Sequence, residues 1–220
     1  MDFLATFFDN YGMLLAQGTW DTLLMTIVST FFAYVIGIPL GVLCVLTSPK
    51  GLMPHRIFNM VLGWIINIGR SIPFIILLVA LIPFTRFIVG TSLGVPGAIV
   101  PLVISAAPFI ARMVEQSIEE VDGGLVEAAQ SFGANTWQIV YKVFLREALP
   151  SLVRGFAIVF ITILGYSAMA GCVGAGGLGD IAIRYQRYQD DVMIATVIIL
   201  IVIVQIVQSL CNFAARKMEH

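Results

Sequence analysis

The sequence predicts an all-α membrane protein with five transmembrane helices, and three observations predict it. Hydrophobic residues make up 59% of the 220 residues and charged residues only 11%, against about 25% charged in ordinary soluble domains. Mean hydropathy is +0.97. Four long stretches, 22–49, 87–111, 155–179 and 192–215, contain no Asp, Glu, Lys or Arg, and each exceeds the roughly 20 residues a spanning helix needs. A soluble fold of this size has no interior large enough for so much apolar surface, which excludes a soluble enzyme or binding domain. The net charge of −1 gives no electrostatic basis for nucleic-acid binding. Cys44, Cys172 and Cys211 lie far apart in apolar sequence and form no metal or redox motif.

The elements follow in order. The opening MDFLATFFDN has no basic region and carries Asp2 and Asp9. It reads as a retained amphipathic segment at the outer surface and not as a signal peptide. The first span is expected at 20–46. It contains Gly37-Ile-Pro-Leu-Gly41, a spacing of small residues that lets helices approach closely. The second span is expected at 57–84. Arg70 interrupts it, and the halves on either side are too short to cross separately, so one long helix with Arg70 inside is predicted. The third, fourth and fifth spans fall at 96–115, 153–173 and 191–213. Pro39, Pro73, Pro83, Pro101 and Pro108 lie inside spans, where each removes a backbone donor and invites a kink. The whole chain, 1–220, reads as one transmembrane domain.

Lys and Arg set the orientation. With five spans, Lys50, Arg56, Arg112, Lys142, Arg146, Arg154, Arg216 and Lys217 share one side, and Arg86, Arg184 and Arg187 the other. The richer side is cytoplasmic, so the N-terminus is expected outside and the C-terminus inside. The acidic cluster Asp180, Asp190 and Asp191 then lies outside.

Residues 116–151 form the one long polar loop, and two short helices are expected in it. Asp122 caps the first, which runs through Glu127, Ala128 and Ala129. Gly133 stops it, because glycine adopts the left-handed conformation without steric cost. Asn135 caps the second, with Gln138 three residues on as its capping-box partner. Trp137, Val140, Tyr141, Phe144 and Leu145 follow at helical spacing, and Pro150 ends the helix before the fourth span. A helix–turn–helix under a membrane bundle is a surface for another protein. The acids Glu115, Glu119, Glu120 and Asp122 read as a solvated face beside it.

Glu127-Ala128-Ala129, then Gly133, then Val143-Phe144-Leu145 resembles the EAA motif of ABC importer permeases. The second half departs from that motif: Val143 stands for Ile, and Arg146 stands where Pro is expected. The resemblance continues through Arg70-Ser-Ile-Pro-Phe-Ile-Ile-Leu-Leu78, Ile82–Ser92, Ala107–Glu115, Gly165-Tyr-Ser-Ala-Met169 and Val173-Gly-Ala-Gly-Gly-Leu-Gly179, which look like the methionine importer permease family. It implies the type I ABC importer permease fold in the bacterial inner membrane. It also implies a homodimer, two ATPase subunits that carry ATP and Mg, and a periplasmic or lipid-anchored protein that delivers methionine. It implies further that Glu127, Ala128, Ala129, Gly133 and Trp137 couple the chain to the ATPase, and that this chain binds no cofactor.

Other features have plainer alternatives. Gly174-Ala-Gly176-Gly177-Leu-Gly179 satisfies GxGxxG but follows a span, not a strand, so the dinucleotide reading is rejected. A tight external turn is expected there, which in a dimer forms part of an outer gate. No GxxxxGK[ST] occurs, so ATP hydrolysis belongs to a partner. Arg70 costs roughly 2.5–3.5 kcal/mol at a helix centre. It either lines the translocation path or pairs structurally with a carbonyl or an acid such as Glu115. Tyr166, Ser167 and Met169 either contact a thioether side chain or simply pack. His55 and His220 are isolated. A secondary transporter needs an intramembrane ion site, and an intramembrane enzyme needs a nucleophile or metal set. Neither pattern is present.

Overall fold

The computed structural model describes residues 2–218, with side chains over 6–217. His220 lies outside the described residues. Among the described residues every regular element is helical. In chain order they are α1 (Asp2–Thr47), α2 (Arg56–Ser71), α3 (Phe74–Ala80), α4 (Ile82–Val89), α5 (Gly94–Glu119), α6 (Gly123–Ser131), α7 (Thr136–Ile139), α8 (Leu145–Glu147), α9 (Leu149–Gly171), α10 (Gly177–Tyr185) and α11 (Asp190–Met218). A π-helical turn, Val140–Phe144, joins α7 to α8. Four helices, α1, α5, α9 and α11, are long and apolar enough to cross a membrane, and α2 with α3 makes a fifth candidate as a bent pair.

Two of these boundaries correct the expectation. The first helix does not begin near residue 20 but runs without a break from Asp2. Nothing between residues 10 and 20 stops a helix. The early turns also have something to pack on: Leu15, with Phe7, Tyr11 and Leu14, meets Ile181, Val192, Ala195 and Ile199. The second correction is larger. The single helix expected at 57–84 is three helices, and the chain turns by 102° between α2 and α3. Pro73 has no N–H for the carbonyl one turn back and forces the residue before it out of the helical region. Ile72 is accordingly extended (φ −84°, ψ 123°). Alone, α2 is about 24 Å long, short of a hydrocarbon core of about 30 Å. Arg70 therefore lies in the last turn of α2, where a cation meets the negative end of the helix dipole, and not at mid-helix.

The chain divides into two compact units, and four helices contribute a length to each. The first unit holds residues up to Phe32, Pro73–Ser105 and Phe160–Gln208. Its contacts include Leu178 N–H donating to Thr22 Oγ1 (2.8 Å) and Gly94 N–H donating to the Gly174 carbonyl (2.9 Å). Phe74 also stacks on Tyr166 in this unit (4.6 Å between centroids, 4° between planes). The second unit holds Ala33–Ile72, Ala106–Val159 and the residues from Ser209 on. Here α1 and α5 approach through small residues. A Cβ at Gly37 would press on Ile110, and one at Gly41 would lie 2.5 Å from the Ala111 carbonyl oxygen and 2.7 Å from Val114 Cβ. The GxxxG spacing thus serves close helix packing. In the same unit Asn59 Nδ2 donates to the Cys44 carbonyl (2.7 Å), which ties α2 to the end of α1.

This packing sets a test. Gly41→Ala should lower the thermal midpoint of the purified chain, by an overpacking cost of about 1–3 kcal/mol. Gly63→Ala is the control, since nothing lies within 4 Å of a Cβ there; it should be neutral or stabilising by up to about 1 kcal/mol. Equal midpoints for both variants would contradict the close α1–α5 approach.

Candidate functional site

The polar segment folds as its sequence directs. Asp122 caps α6 by accepting from Gly124 N–H (2.8 Å). The helix ends in a Schellman turn, with Ala134 N–H donating to the Ala129 carbonyl (3.0 Å) and Gly133 N–H to the Gln130 carbonyl (2.9 Å). Gly133 has φ +78°, a conformation that costs other residues about 1–2 kcal/mol. Both halves of the capping box form: Gln138 N–H donates to Asn135 Oδ1 (2.9 Å) and Asn135 N–H to Gln138 Oε1 (2.9 Å). Three orphan amides at two helix starts are thereby satisfied, and the turn between the helices is held from both sides.

Past the cap the helix departs from the expected form. After one α-turn it widens into the π-turn Val140–Phe144 before α8. The helix ends at Glu147, and Pro150 sits inside the first turn of α9, where its missing N–H costs nothing. The fourth span therefore opens at Leu149, earlier than the expected 153. Ile139, Val140, Phe144 and Ala148 are buried. Trp137 and Tyr141 face the opposite way, 73% and 75% exposed, and Phe132 at the turn is 92% exposed. Glu127 and Ala128 are exposed and Ala129 is partly covered. A recess of about 340 Å³ opens beside the turn, lined by Ala129, Phe132, Gly133, Ala134, Gln138 and Lys142. Phe132 was not singled out from the sequence. Its signal was its place just before the turn glycine, where no neighbouring helix can cover it.

The glycine segment after α9 also combines the expected turn with an unforeseen helix. Gly174, Gly176 and Gly177 all have positive φ, so a tight turn is present. Gly177 then opens α10. Its signals were Leu178, Ile181 and Tyr185 at helical spacing and the Asp180–Arg184 ion pair (2.7 Å, i,i+4). A Cβ at Gly177 would lie 2.6 Å from Thr22 Oγ1, and one at Gly179 would overlap the Ala168 main chain. The glycines let backbone meet backbone within the first unit.

The remaining candidates divide. Arg70 is exposed, with its guanidinium 6.0 Å from the Phe109 ring centroid. Glu115 is not its partner: Glu115 pairs with Arg112 one turn earlier on α5 (2.7 Å), and Arg112 also donates to Asn67 Oδ1 (3.0 Å). Glu115 thus leaves the solvated acidic face, and Asp122 serves as a cap. Met169 is half-exposed, and Tyr166 shares its helix face three residues earlier. Ser167 is buried and donates to the Leu164 carbonyl (2.7 Å). Tyr166, Ser167 and Met169 belong to the first unit and Arg70 to the second. Among the described residues no cluster of three His, Cys, Asp or Glu is placed to hold a metal.

Comparison with known proteins gives a consistent answer. Residues 34–220 match the family described as binding-protein-dependent transport system inner membrane component. The chain is 48% identical over 219 residues to a probable D-methionine transport system permease protein MetI of Vibrio cholerae, covering 99% of this chain and 97% of that one. It is 56% identical over 158 residues to the D-methionine transport system permease protein MetI of Escherichia coli, covering 72% and 73%. Among solved structures it is similar to a chain of the inward-facing MetNI methionine ABC transporter, with TM-score 0.93 and 49% identity over 95% of this chain and 98% of that one. An amino acid ABC transporter crystallised with histidines shares the fold, with TM-score 0.78 at 22% identity over 99% of each chain.

The cap chemistry is testable. Asn135→Ala removes one side of the capping box, worth about 1 kcal/mol. Amide hydrogen exchange over 136–139 should then quicken by roughly fivefold while exchange in α9 stays unchanged. Unaltered exchange at 136–139 would show that the box does not hold the second helix.

Proposed function

The chain belongs to the family of binding-protein-dependent transport system inner membrane components, and from that premise we propose that it is the permease of a methionine importer driven by a separate ATPase. The exposed aromatic surface around Gly133 carries this reading. Phe132, Trp137 and Tyr141 present large apolar area on the one polar segment of a membrane chain, and an exposed patch of that kind marks a docking surface. Its partner is the ATPase, which binds ATP and Mg, since this chain has no phosphate-cradling loop. Trp and Tyr side chains are the common anchors of such contacts.

The mechanism is conformational. Two copies of the chain enclose a path at their two-fold axis. ATP binding draws the two ATPases together and moves both docked α6–α7 segments. The Schellman turn and capping box keep each segment rigid, so the movement passes to α5 and α9, to which it is joined. The path then opens outward to accept methionine from an external binding protein, and hydrolysis resets it inward. The N-terminus lies outside and the C-terminus in the cytoplasm, in agreement with the distribution of Lys and Arg. Arg70 lines the path, and Tyr166 and Met169 are separate lining residues. Arg70 is suited to a substrate carboxylate and Met169 to a thioether. The glycine turn at 174–179 forms the outer gate.

Three measurements test this. In liposomes, uptake of labelled methionine should require the permease, its ATPase and the binding protein together, and excess unlabelled methionine should suppress it. Uptake without the ATPase would overturn the proposal. Gly133→Val places a β-branched residue at positive φ; the chain should still insert but capture its ATPase more weakly, by about tenfold for a strain of about 1–2 kcal/mol. Full capture would exclude the turn from the contact. Arg70→Met should leave membrane abundance unchanged and lower uptake by about tenfold or more, the worth of one charged hydrogen bond. A collapse in abundance would make Arg70 structural instead.

A further inference from the structure

A second site lies far along the sequence from the Gly133 turn, where the first turns of α1 and α11 run side by side in the first unit. Beside their packed contact at Leu15 and Val192, the two helices leave an apolar groove of about 350 Å³. It is walled by Phe7, Phe8 and Leu15 of α1 and by Ile194, Ile198 and Ile199 of α11. Phe8, Ile194 and Ile198 remain exposed. A smaller cavity of about 170 Å³ adjoins it, where Asn10, Tyr11, Gln189 and Asp191 bring polar groups to a wall that also includes Phe7 and Val192. Phe7 and Asp191 wall both spaces. Among the described residues no Lys or Arg lines either one.

We propose that this groove binds a phospholipid with a primary-amine headgroup, drawn from the leaflet that surrounds the start of α11. Both helices are membrane helices, so the solvent of the apolar wall is acyl chain. The residues from Asp191 to Ile199 cover about 12 Å of helix, which accommodates the part of an acyl chain nearest its glycerol. The adjoining cavity has the chemistry of a zwitterionic headgroup. Asn10, Tyr11 and Gln189 carry donors for phosphodiester oxygens, and Asp191 accepts from an ammonium. An anionic headgroup would meet the Asp191 carboxylate with no cation in the wall to offset it. A quaternary amine has no N–H to donate. The acid at the junction of the two spaces therefore selects the primary amine.

The test uses the full-length chain purified from bacterial membranes in mild detergent. Lipids that survive extensive washing are extracted and measured by mass spectrometry, and compared with the composition of the source membrane. The wild-type chain should retain phosphatidylethanolamine in stoichiometric amount, enriched about tenfold over phosphatidylglycerol, as one charge-assisted hydrogen bond provides. Ile198→Trp fills the groove and should lose the retained lipid. Asp191→Asn, at an exposed position, should keep a retained phospholipid but lose the preference. Enrichment of phosphatidylglycerol over phosphatidylethanolamine, or equal retention by wild type and both variants, would overturn the proposal. So would a nitroxide at position 198 reporting a short distance to a second copy of the chain, since the groove would then be a protein interface.

Discussion

In hydrocarbon no water is available to the backbone, so every N–H and C=O must find a partner within the chain. The rest of this structure depends on that constraint. It explains why the described elements are all helices and why side-chain hydroxyls bond back to the helix that carries them. Thr22, Thr26 and Thr47 each donate to the carbonyl four residues earlier, at 2.8, 2.8 and 2.6 Å. It also explains where the helices fail. A proline inside a span deletes one donor, and the chain must either tolerate that loss or break. Pro39 is tolerated within α1. At Pro73 the chain breaks, and a new helix starts at the next residue.

With the backbone satisfied, helices in lipid gain little from apolar contact alone, because lipid is as apolar as leucine. Close approach becomes the available source of cohesion. Gly37 and Gly41 admit α5, and Gly171 and Gly179 bring the end of α9 against the start of α10. Specific polar contacts tie helices together, such as Leu178 to Thr22, Asn59 to Cys44, and Ser117 to Ser151. The same economy leaves much of α11 bare, with Ile194, Ile198, Ile201 and Ile206 exposed along it.

The α6–α7 segment obeys the opposite rules. There water is present, the helices are short, and caps decide whether they exist at all. Asp122, Gly133 and the Asn135–Gln138 box together fix three helix ends: both ends of α6 and the start of α7. The caps and the turn hold the segment between α5 and α9 in one defined conformation. The same segment carries three large exposed aromatics, Phe132, Trp137 and Tyr141, the surface on which the proposed ATPase contact rests.

Residues whose neighbours in sequence are also their partners in space could be read from the sequence. The spans were legible because hydropathy is a local sum over some twenty residues. The Asp122 cap, the Gly133 turn and the Asn135–Gln138 box were legible because each closes within five residues. What the tertiary structure decided was set by partners far along the chain. Pro39 is carried inside one continuous helix while Pro73 breaks the chain between two, and nothing in their immediate sequence distinguishes them. Arg112, which pairs with Glu115 on its own helix, also reaches Asn67 of α2, 45 residues away. Residues 2–19 became part of α1 because α10 and α11 present Ile181 and Val192 to them. Phe132 is exposed because no helix reaches the outside of the turn. Hydropathy measures how much a residue prefers to leave water, and only packing decides which side chain remains uncovered for a partner.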